Sequence, residues 1–84
     1  MNETEPLLAK GLNLLAAEAG RATKHGIRLL SFNADCIRPP AAGEIVEGSA
    51  EITKATRSVI FVSGRLTSAE RPLMTFAGVY QIES

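Results

Sequence analysis

The sequence predicts an α+β domain in which one helix packs on a four-stranded antiparallel meander sheet. Two observations support this class. Apolar residues recur at helical spacing near the start, and four β-rich segments with short connections follow. The chain has 84 residues, the length of one domain, and no linker or internal repeat divides it. We therefore assign residues 1–84 to a single domain.

The first element is predicted to be a helix over residues 5–23. An apolar stripe at helical spacing supports it, formed by Leu8, Leu12, Leu15, Ala19 and Ala22. Asn2 or Thr4 can cap its start, and Gly26 is a natural stop. Gly11 costs about 1 kcal/mol relative to alanine in a helix interior. A close approach by another part of the backbone would explain why glycine is present there.

The next two elements are predicted strands over residues 27–37 and 43–53. In the first, apolar and polar residues alternate, with Leu30, Phe32, Ala34 and Cys36 on one face and Ser31, Asn33 and Asp35 on the other. Pro39 and the proline after it end this strand, because proline cannot donate a hydrogen bond to a sheet. In the second strand Gly48 and Ala50 are small, which predicts that the helix lies over them.

The last two strands are predicted over residues 57–67 and 72–82, joined by a polar turn into a hairpin. Both faces of this hairpin are apolar: Val59 and Phe61 point one way, and Ile60 and Val62 point the other. The last strand repeats this pattern, with Met74, Phe76, Tyr80 and Ile82 on one face and Leu73, Ala77 and Val79 on the other. One helix covers only one face of a sheet, so the second apolar face predicts a homo-oligomer, a dimer or a tetramer.

Composition argues against several classes of function. Nine basic and nine acidic residues cancel, which disfavours non-specific binding to nucleic acid or to an anionic membrane. One cysteine and one histidine are too few for a usual zinc site, so we expect no metal and no cofactor. No apolar run reaches the length of a membrane span, and the acidic start is unlike a signal peptide. We expect a cytoplasmic protein in which Cys36 is a small buried hydrophobe.

Three stretches resemble the hotdog-fold acyl-CoA thioesterases. Residues 32–44 (FNADCIRPPAAGE) resemble the family strand that ends in an Arg-Pro turn followed by glycine. Residues 45–58 resemble the next strand with its turn, and residues 73–82 resemble the last strand. The resemblance runs from Leu7 to the end and is closest to the phenylacetate-pathway branch. It implies a sheet wrapped around a central helix, subunits whose sheets join, and hydrolysis of acyl-CoA thioesters.

Members of this branch use a carboxylate on the central helix, after a His-Gly-Gly or similar segment. The carboxylate acts as base or nucleophile, while N–H groups at the helix start polarise the thioester carbonyl. Here the corresponding position falls near Lys10, no His-Gly-Gly precedes the helix, and the family's first strand has no counterpart. Glu18 lies near the far end of the helix, and Glu5 is expected to serve the helix dipole. The catalytic residue is therefore left unassigned.

Lys54 and Arg57 are the predicted substrate-binding residues. They flank the turn between the second and third strands, and the resemblance implies that basic side chains meet the phosphates of coenzyme A. The alternative for both is a solvated turn. His25 is the one candidate for acid–base work at neutral pH, but its place at a helix end favours a capping role. A row of polar residues predicts either a pocket at a subunit boundary or a solvated face, formed by Ser31, Asn33 and Asp35.

Two functions stay open on the sequence alone, so whether the protein is an enzyme stays open as well. The first is metal-free hydrolysis of acyl-CoA thioesters by an N-terminally shortened thioesterase-like protein. The second is a non-catalytic module on the same scaffold that binds an acyl chain or a small apolar ligand between subunits. A further alternative is a fragment whose missing strand comes from a partner, which would leave a sheet edge exposed.

Overall fold

The computed structural model describes residues 4–83, with side chains from residue 6 onward. The chain forms one helix and then four strands: α1 (Thr4–Arg21), β1 (Gly26–Cys36), β2 (Glu47–Ala55), β3 (Val59–Ser68) and β4 (Arg71–Glu83). The helix packs on one face of a four-stranded antiparallel sheet, which confirms the predicted class. Asn2 and the side chain of Thr4, the predicted caps, lie outside the described part.

The predicted meander order needs one correction. The strands lie in the order β1-β4-β3-β2, so β2, β3 and β4 form a meander while β1 pairs with β4 and not with β2. The reason is the connection at residues 37–46, which contains two consecutive prolines and is too long for a tight hairpin turn. It carries the chain from one edge of the sheet to the other.

The second strand begins later than predicted. We expected residues 43–53, whereas β2 starts at Glu47. Gly43 has a φ of 81°, and the backbone N–H of Glu44 donates to the carbonyl of Ala41 at 3.1 Å, so a turn occupies the start of the predicted strand. The other elements lie within two residues of their predicted bounds.

The core lies between α1 and the inner face of the sheet. Its buried side chains are Leu7, Leu15, Ala19, Ile60, Val62, Leu66, Leu73, Met74, Phe76 and Tyr80. A Cβ at Gly11 would lie 3.0 Å from Cε of Met74 and 3.2 Å from Cδ1 of Phe76, so the close approach predicted there comes from side chains. A Cβ at Gly48 would collide with Leu14, which confirms that the helix covers this part of β2.

Three apolar side chains, two in β1 and one in β4, differ from the prediction in whether they face the core. The register of β1 against β4 shifts between Leu29 and Ser31, and this bulge leaves Leu30 about 50% exposed. Cys36, the last residue of the edge strand, is exposed and not buried as predicted. Leu73 belongs to the core and not to the face of Ala77 and Val79, because a register shift interrupts the β3–β4 pairing beside it.

The side of the sheet away from the helix is called the outer face here. Cross-strand pairs place an apolar group near its middle, with Phe61 opposite Val79. Phe61 is 36% exposed, whereas its chain neighbours Ile60 and Val62 are buried under the helix, so both faces of β3 are apolar as predicted. Within residues 4–83, no helix is both long and apolar enough to cross a membrane.

Candidate functional site

A cavity of about 380 Å³ lies where the first turns of α1 meet the connection between β1 and β2. This volume falls in the range of small-molecule sites, roughly 300–1,000 Å³. We call it the helix-start cavity, and it is lined by Pro6, Leu7, Lys10, Pro40, Ala41, Ala42 and Val46. Its lining is apolar except for Lys10, so it suits an apolar group that carries one polar or anionic end.

The helix places Lys10 at the cavity and not in the core. Leu7 is buried against the sheet, and a residue three positions later lies on a neighbouring part of the helix surface. The Nζ atom of Lys10 donates to the carbonyl oxygen of Val46 at 3.3 Å. This contact joins the helix to the segment that leads into β2 and holds the ammonium group beside the cavity wall.

The opposite wall is shaped by a salt bridge that closes the connection between β1 and β2. Arg38 donates from Nη1 to Oε1 of Glu44 at 3.1 Å and from Nη2 to Oε2 at 3.0 Å. The backbone N–H of Ala41 donates to Oε1 of Glu44 at 2.7 Å. We call this arrangement the Arg38–Glu44 clasp. Between its two ends lie three of the residues that line the cavity, Pro40, Ala41 and Ala42.

The clasp keeps Glu44 ionised. The guanidinium of Arg38, with help from the Ala41 N–H and the Ser68 hydroxyl, lowers the pKa of Glu44 from 4.5 to about 2. The hydrogen bonds from Arg38 to Glu44 in turn raise the pKa of Arg38. Because both carboxylate oxygens are engaged, Glu44 is not a free base for chemistry in the cavity.

No carboxylate lines the helix-start cavity among the side chains of residues 6–83. Glu18 lies in the C-terminal half of α1 and pairs with Arg21. The side chain of Glu5 lies outside the described part. The described residues therefore supply no acid in the helix position that the family resemblance implies, and Lys10 stands at the cavity instead.

A second depression, of about 540 Å³ and less open to solvent than the helix-start cavity, lies on the outer face. Its polar lining includes Asn33 and Asp35 from the predicted polar row of β1, whereas Ser31 is not part of it. The fold adds Glu51 from β2 and Arg65 from β3. The sequence alone did not predict that Glu51 and Arg65 lie near Asp35, because the order of the strands in the sheet decides which of these residues are close in space.

The predicted substrate-binding residues Lys54 and Arg57 lie elsewhere. Both are exposed, Lys54 near the end of β2 and Arg57 in the turn to β3, and neither lines the two cavities described above. At about 3.3 Å per residue, Lys54 is roughly 23 Å along β2 from Glu47, which follows the cavity residue Val46. Within one chain these side chains do not meet the helix-start cavity, and their role stays a prediction.

His25 is exposed in the segment that follows α1. Its backbone N–H donates to Oγ1 of Thr23 at 3.1 Å. His25 lines neither of the two cavities, so it is not placed to act as an acid or base on a ligand bound in either of them.

Comparison with solved structures supports one fold. A phenylacetic acid degradation-related protein of Ralstonia eutropha superposes with a TM-score of 0.81 at 23% identity, over 90% of this chain and 58% of that protein. An acyl-CoA hydrolase of Agrobacterium tumefaciens gives 0.83 at 21% identity, over 95% and 35%. A hexameric hotdog fold thioesterase of Campylobacter jejuni gives 0.79 at 12% identity, over 93% and 66%.

These identities are low enough to establish the fold alone, and that fold is the hotdog fold. The chain spans only 58% and 35% of the Ralstonia and Agrobacterium proteins. No curated protein matches the sequence. The family model described as the thioesterase superfamily matches residues 10–75, which is most of the chain. The chain therefore belongs to the thioesterase superfamily.

Proposed function

We propose that this protein acts on acyl-CoA thioesters and that the helix-start cavity receives the acyl group. The observation that carries the proposal is an apolar cavity of small-molecule size at the start of the central helix of a thioesterase-superfamily fold. The first turn of a helix has N–H groups without intrahelical partners and the positive end of the dipole. Such groups can polarise a thioester carbonyl held beside them.

Hydrolysis is the first candidate activity. Water would attack the thioester carbonyl carbon, the C–S bond would break, and the products would be a carboxylate and the thiol of coenzyme A. The similarity to the Agrobacterium acyl-CoA hydrolase favours this reaction. The base that activates water would come from a second copy of the chain or from the residues before Pro6.

Binding without hydrolysis is the second candidate. The specific observation in its favour is the lining of the helix-start cavity, in which Lys10 is the charged side chain contributed by residues 6–83. An ammonium group can bind an oxygen atom, but in its charged form it cannot accept a proton from water. A protein of this kind would hold an acyl group without breaking the thioester bond.

We also propose that the working form is a homodimer or homotetramer in the cytoplasm. The exposed apolar part of the outer face and the two unpaired sheet edges, β1 and β2, favour association. A second copy would also allow Lys54 and Arg57 to reach the phosphates of a ligand whose acyl group lies in another subunit. A single cysteine fits a reducing compartment.

The test is release of free thiol from a panel of short aliphatic and aromatic acyl-CoA esters, together with calorimetric binding of the same esters. We expect saturable turnover of at least one ester, and a raised KM when Lys54 and Arg57 are both changed to alanine. Glu5→Gln tests a base at the helix start. Glu18→Gln is the matched control, because Glu18 pairs with Arg21 and does not line the cavity.

The outcomes separate the two candidates. Turnover that Glu5→Gln abolishes and Glu18→Gln preserves would identify a hydrolase whose base is at the helix start. Saturable binding without turnover would select the binding module. Neither turnover nor binding of any ester would overturn the proposal that acyl-CoA thioesters are the ligands.

A further inference from the structure

We infer that the helix-start cavity binds free aliphatic carboxylates, with the carboxylate on the ammonium of Lys10 and the alkyl chain along the apolar wall. This inference rests on the proposed function in one respect, since the same cavity would receive the acyl group of a thioester. It goes further in naming an anionic acid, which is also the product that hydrolysis would release, as a ligand of the site.

The first argument is the composition of the walls. Among residues 6–83, Lys10 is the charged side chain that lines the cavity, and the rest of the lining is proline, alanine, leucine and valine. Apolar walls with one well-placed polar group are typical of sites for small amphiphilic molecules. A monocarboxylate has the matching distribution, one charged end and one apolar body.

The second argument is that the charge of Lys10 is free for a ligand. An ammonium group has three donors, and the contact with Val46 uses one of them at 3.3 Å, slightly longer than a usual hydrogen bond. The ion pairs formed between side chains of residues 6–83 are Arg21–Glu18 and Arg38–Glu44. In this part of the chain, Lys10 therefore has no acidic partner to displace.

The third argument concerns Glu44, whose carboxylate lies in the connection between β1 and β2 that forms one wall of the cavity. Glu44 would repel an anion if it were unpaired, but both of its oxygens receive hydrogen bonds from Arg38. The clasp thus balances that negative charge while it holds the wall at residues 40–42 in place. Among the side chains of residues 6–83, the charge at the cavity that no opposite charge balances is that of Lys10.

Charge then distinguishes the acid from neutral ligands of the same shape. A carboxylate accepts a charge-assisted hydrogen bond from an ammonium group, which is stronger than a hydrogen bond between neutral groups. A thioester or an alcohol accepts only the weaker kind. We expect roughly fivefold to tenfold tighter binding of the carboxylate than of the matched alcohol, a modest preference because Lys10 is exposed and water weakens the ion pair.

The experiment is calorimetric titration of the full chain with octanoate and with octanol at neutral pH. Lys10→Met removes the charge and keeps an unbranched side chain, and Lys10→Arg keeps the charge. Lys24→Met is the matched control, because Lys24 is exposed after the end of α1 and does not line the cavity. Circular dichroism of each variant checks that the fold is retained.

Support requires saturable octanoate binding that Lys10→Met weakens severalfold and that Lys10→Arg and Lys24→Met largely preserve. Equal affinity for octanoate and octanol, equal affinity of the parent protein and Lys10→Met, or no octanoate binding would each overturn the inference. Acyl-CoA turnover and binding are measured on the same samples. A protein that binds octanoate but ignores acyl-CoA esters would lose the proposed function and keep this carboxylate site.

Discussion

Gly64 is a residue at which the sheet leaves no room for a side chain. A Cβ at this position would lie 2.6 Å from Cε2 of Phe76 and would also collide with the backbone carbonyl of Ser49. The missing side chain lets the ring of Phe76 approach the floor of the depression on the outer face. A single glycine in the middle of β3 thus shapes both faces of the sheet.

We predict that Gly64→Ala destabilises the fold by about 1–3 kcal/mol, the usual cost of overpacking a close-packed site. One of the colliding atoms belongs to the backbone of β2, which cannot move without disturbing the strand pairing. Urea denaturation followed by circular dichroism measures the change.

Gly20→Ala is the matched control for this substitution. Gly20 lies inside α1 and is exposed, and a Cβ added to it would meet nothing within 4 Å beyond its chain neighbours and the backbone of its own helix. We expect it to stabilise the protein by up to about 1 kcal/mol through helix propensity. Equal unfolding midpoints for the Gly64 variant and the parent protein would show that the strands adjust without cost.

The connection between β1 and β2 is the element that shapes the helix-start cavity. Backbone N–H groups of Ile37 and Arg38 donate to the carbonyl of Leu73 at 2.7 and 3.2 Å, which anchors its start beside β4. The Arg38–Glu44 clasp then closes the turn around the left-handed Gly43. The wall of the cavity is therefore held by polar contacts that respond to pH.

We predict that Glu44 contributes to the loss of stability in acid. Folding lowers the pKa of its carboxyl from 4.5 to about 2. A depressed pKa means that the contribution is fully present above the unfolded value and disappears as the pH falls from about 5 towards 2. Glu44→Gln should therefore show a shallower fall in unfolding free energy over this interval than the parent protein.

The measurement is urea denaturation at a series of pH values between about 5 and 2. Arg38→Gln removes the main cause of the shift and should flatten the same interval. If both variants follow the pH dependence of the parent protein, the clasp does not contribute to folding in solution.

At the scale of the whole molecule, residues 4–83 place a helix on one face of the sheet and none on the other. The outer face carries Phe61 and Val79 opposite each other, and Arg65 with Asp35 on strands that both flank β4. Two copies related by a two-fold axis along the strands would bring Phe61 of each onto Val79 of the other. The same rotation would bring Arg65 near Asp35 of the other copy.

We predict that Phe61→Lys reduces self-association, because it places a charge in the apolar middle of the contact. Light scattering at micromolar concentration should give a lower mass for this variant than for the parent protein. Ile45→Lys is the control, since Ile45 is 77% exposed in the connection and lies off the outer face. A monomeric parent protein, or a Phe61 variant of unchanged mass, would contradict the prediction.

Much of the fold could be predicted because it follows from local patterns. Periodicity identified the helix and the four strands, and the small residues Gly11 and Gly48 pointed correctly to close packing of the helix on the sheet. The buried stripe of α1 nevertheless centres on Leu7, Leu15 and Ala19, and the predicted stripe residue Ala22 falls just beyond the helix. Helix ends depend on a balance of weak local preferences.

The errors in predicting which side chains are buried arose where an extra residue interrupts the alternation of a strand. The bulge beside Leu30 reverses which side chains face the core, so an alternation read without it places Leu30 inside. The candidate site was harder to predict. Lys10 and Val46 lie far apart in the chain, and their contact exists only because α1 crosses the start of β2.

Short-range order along the chain was enough to determine the class of fold, the family resemblance and the lack of an acid at the helix position near Lys10, since each depends on residue types and their spacing. Only the tertiary structure decided that β1 pairs with β4, that Glu44 is engaged by Arg38, and that Lys10 stands at an apolar cavity. The physical reason is that strand order and the helix-start cavity are made by residues distant in sequence. The Arg38–Glu44 salt bridge is shorter in range, but it needs the turn around Gly43 to bring its two side chains together.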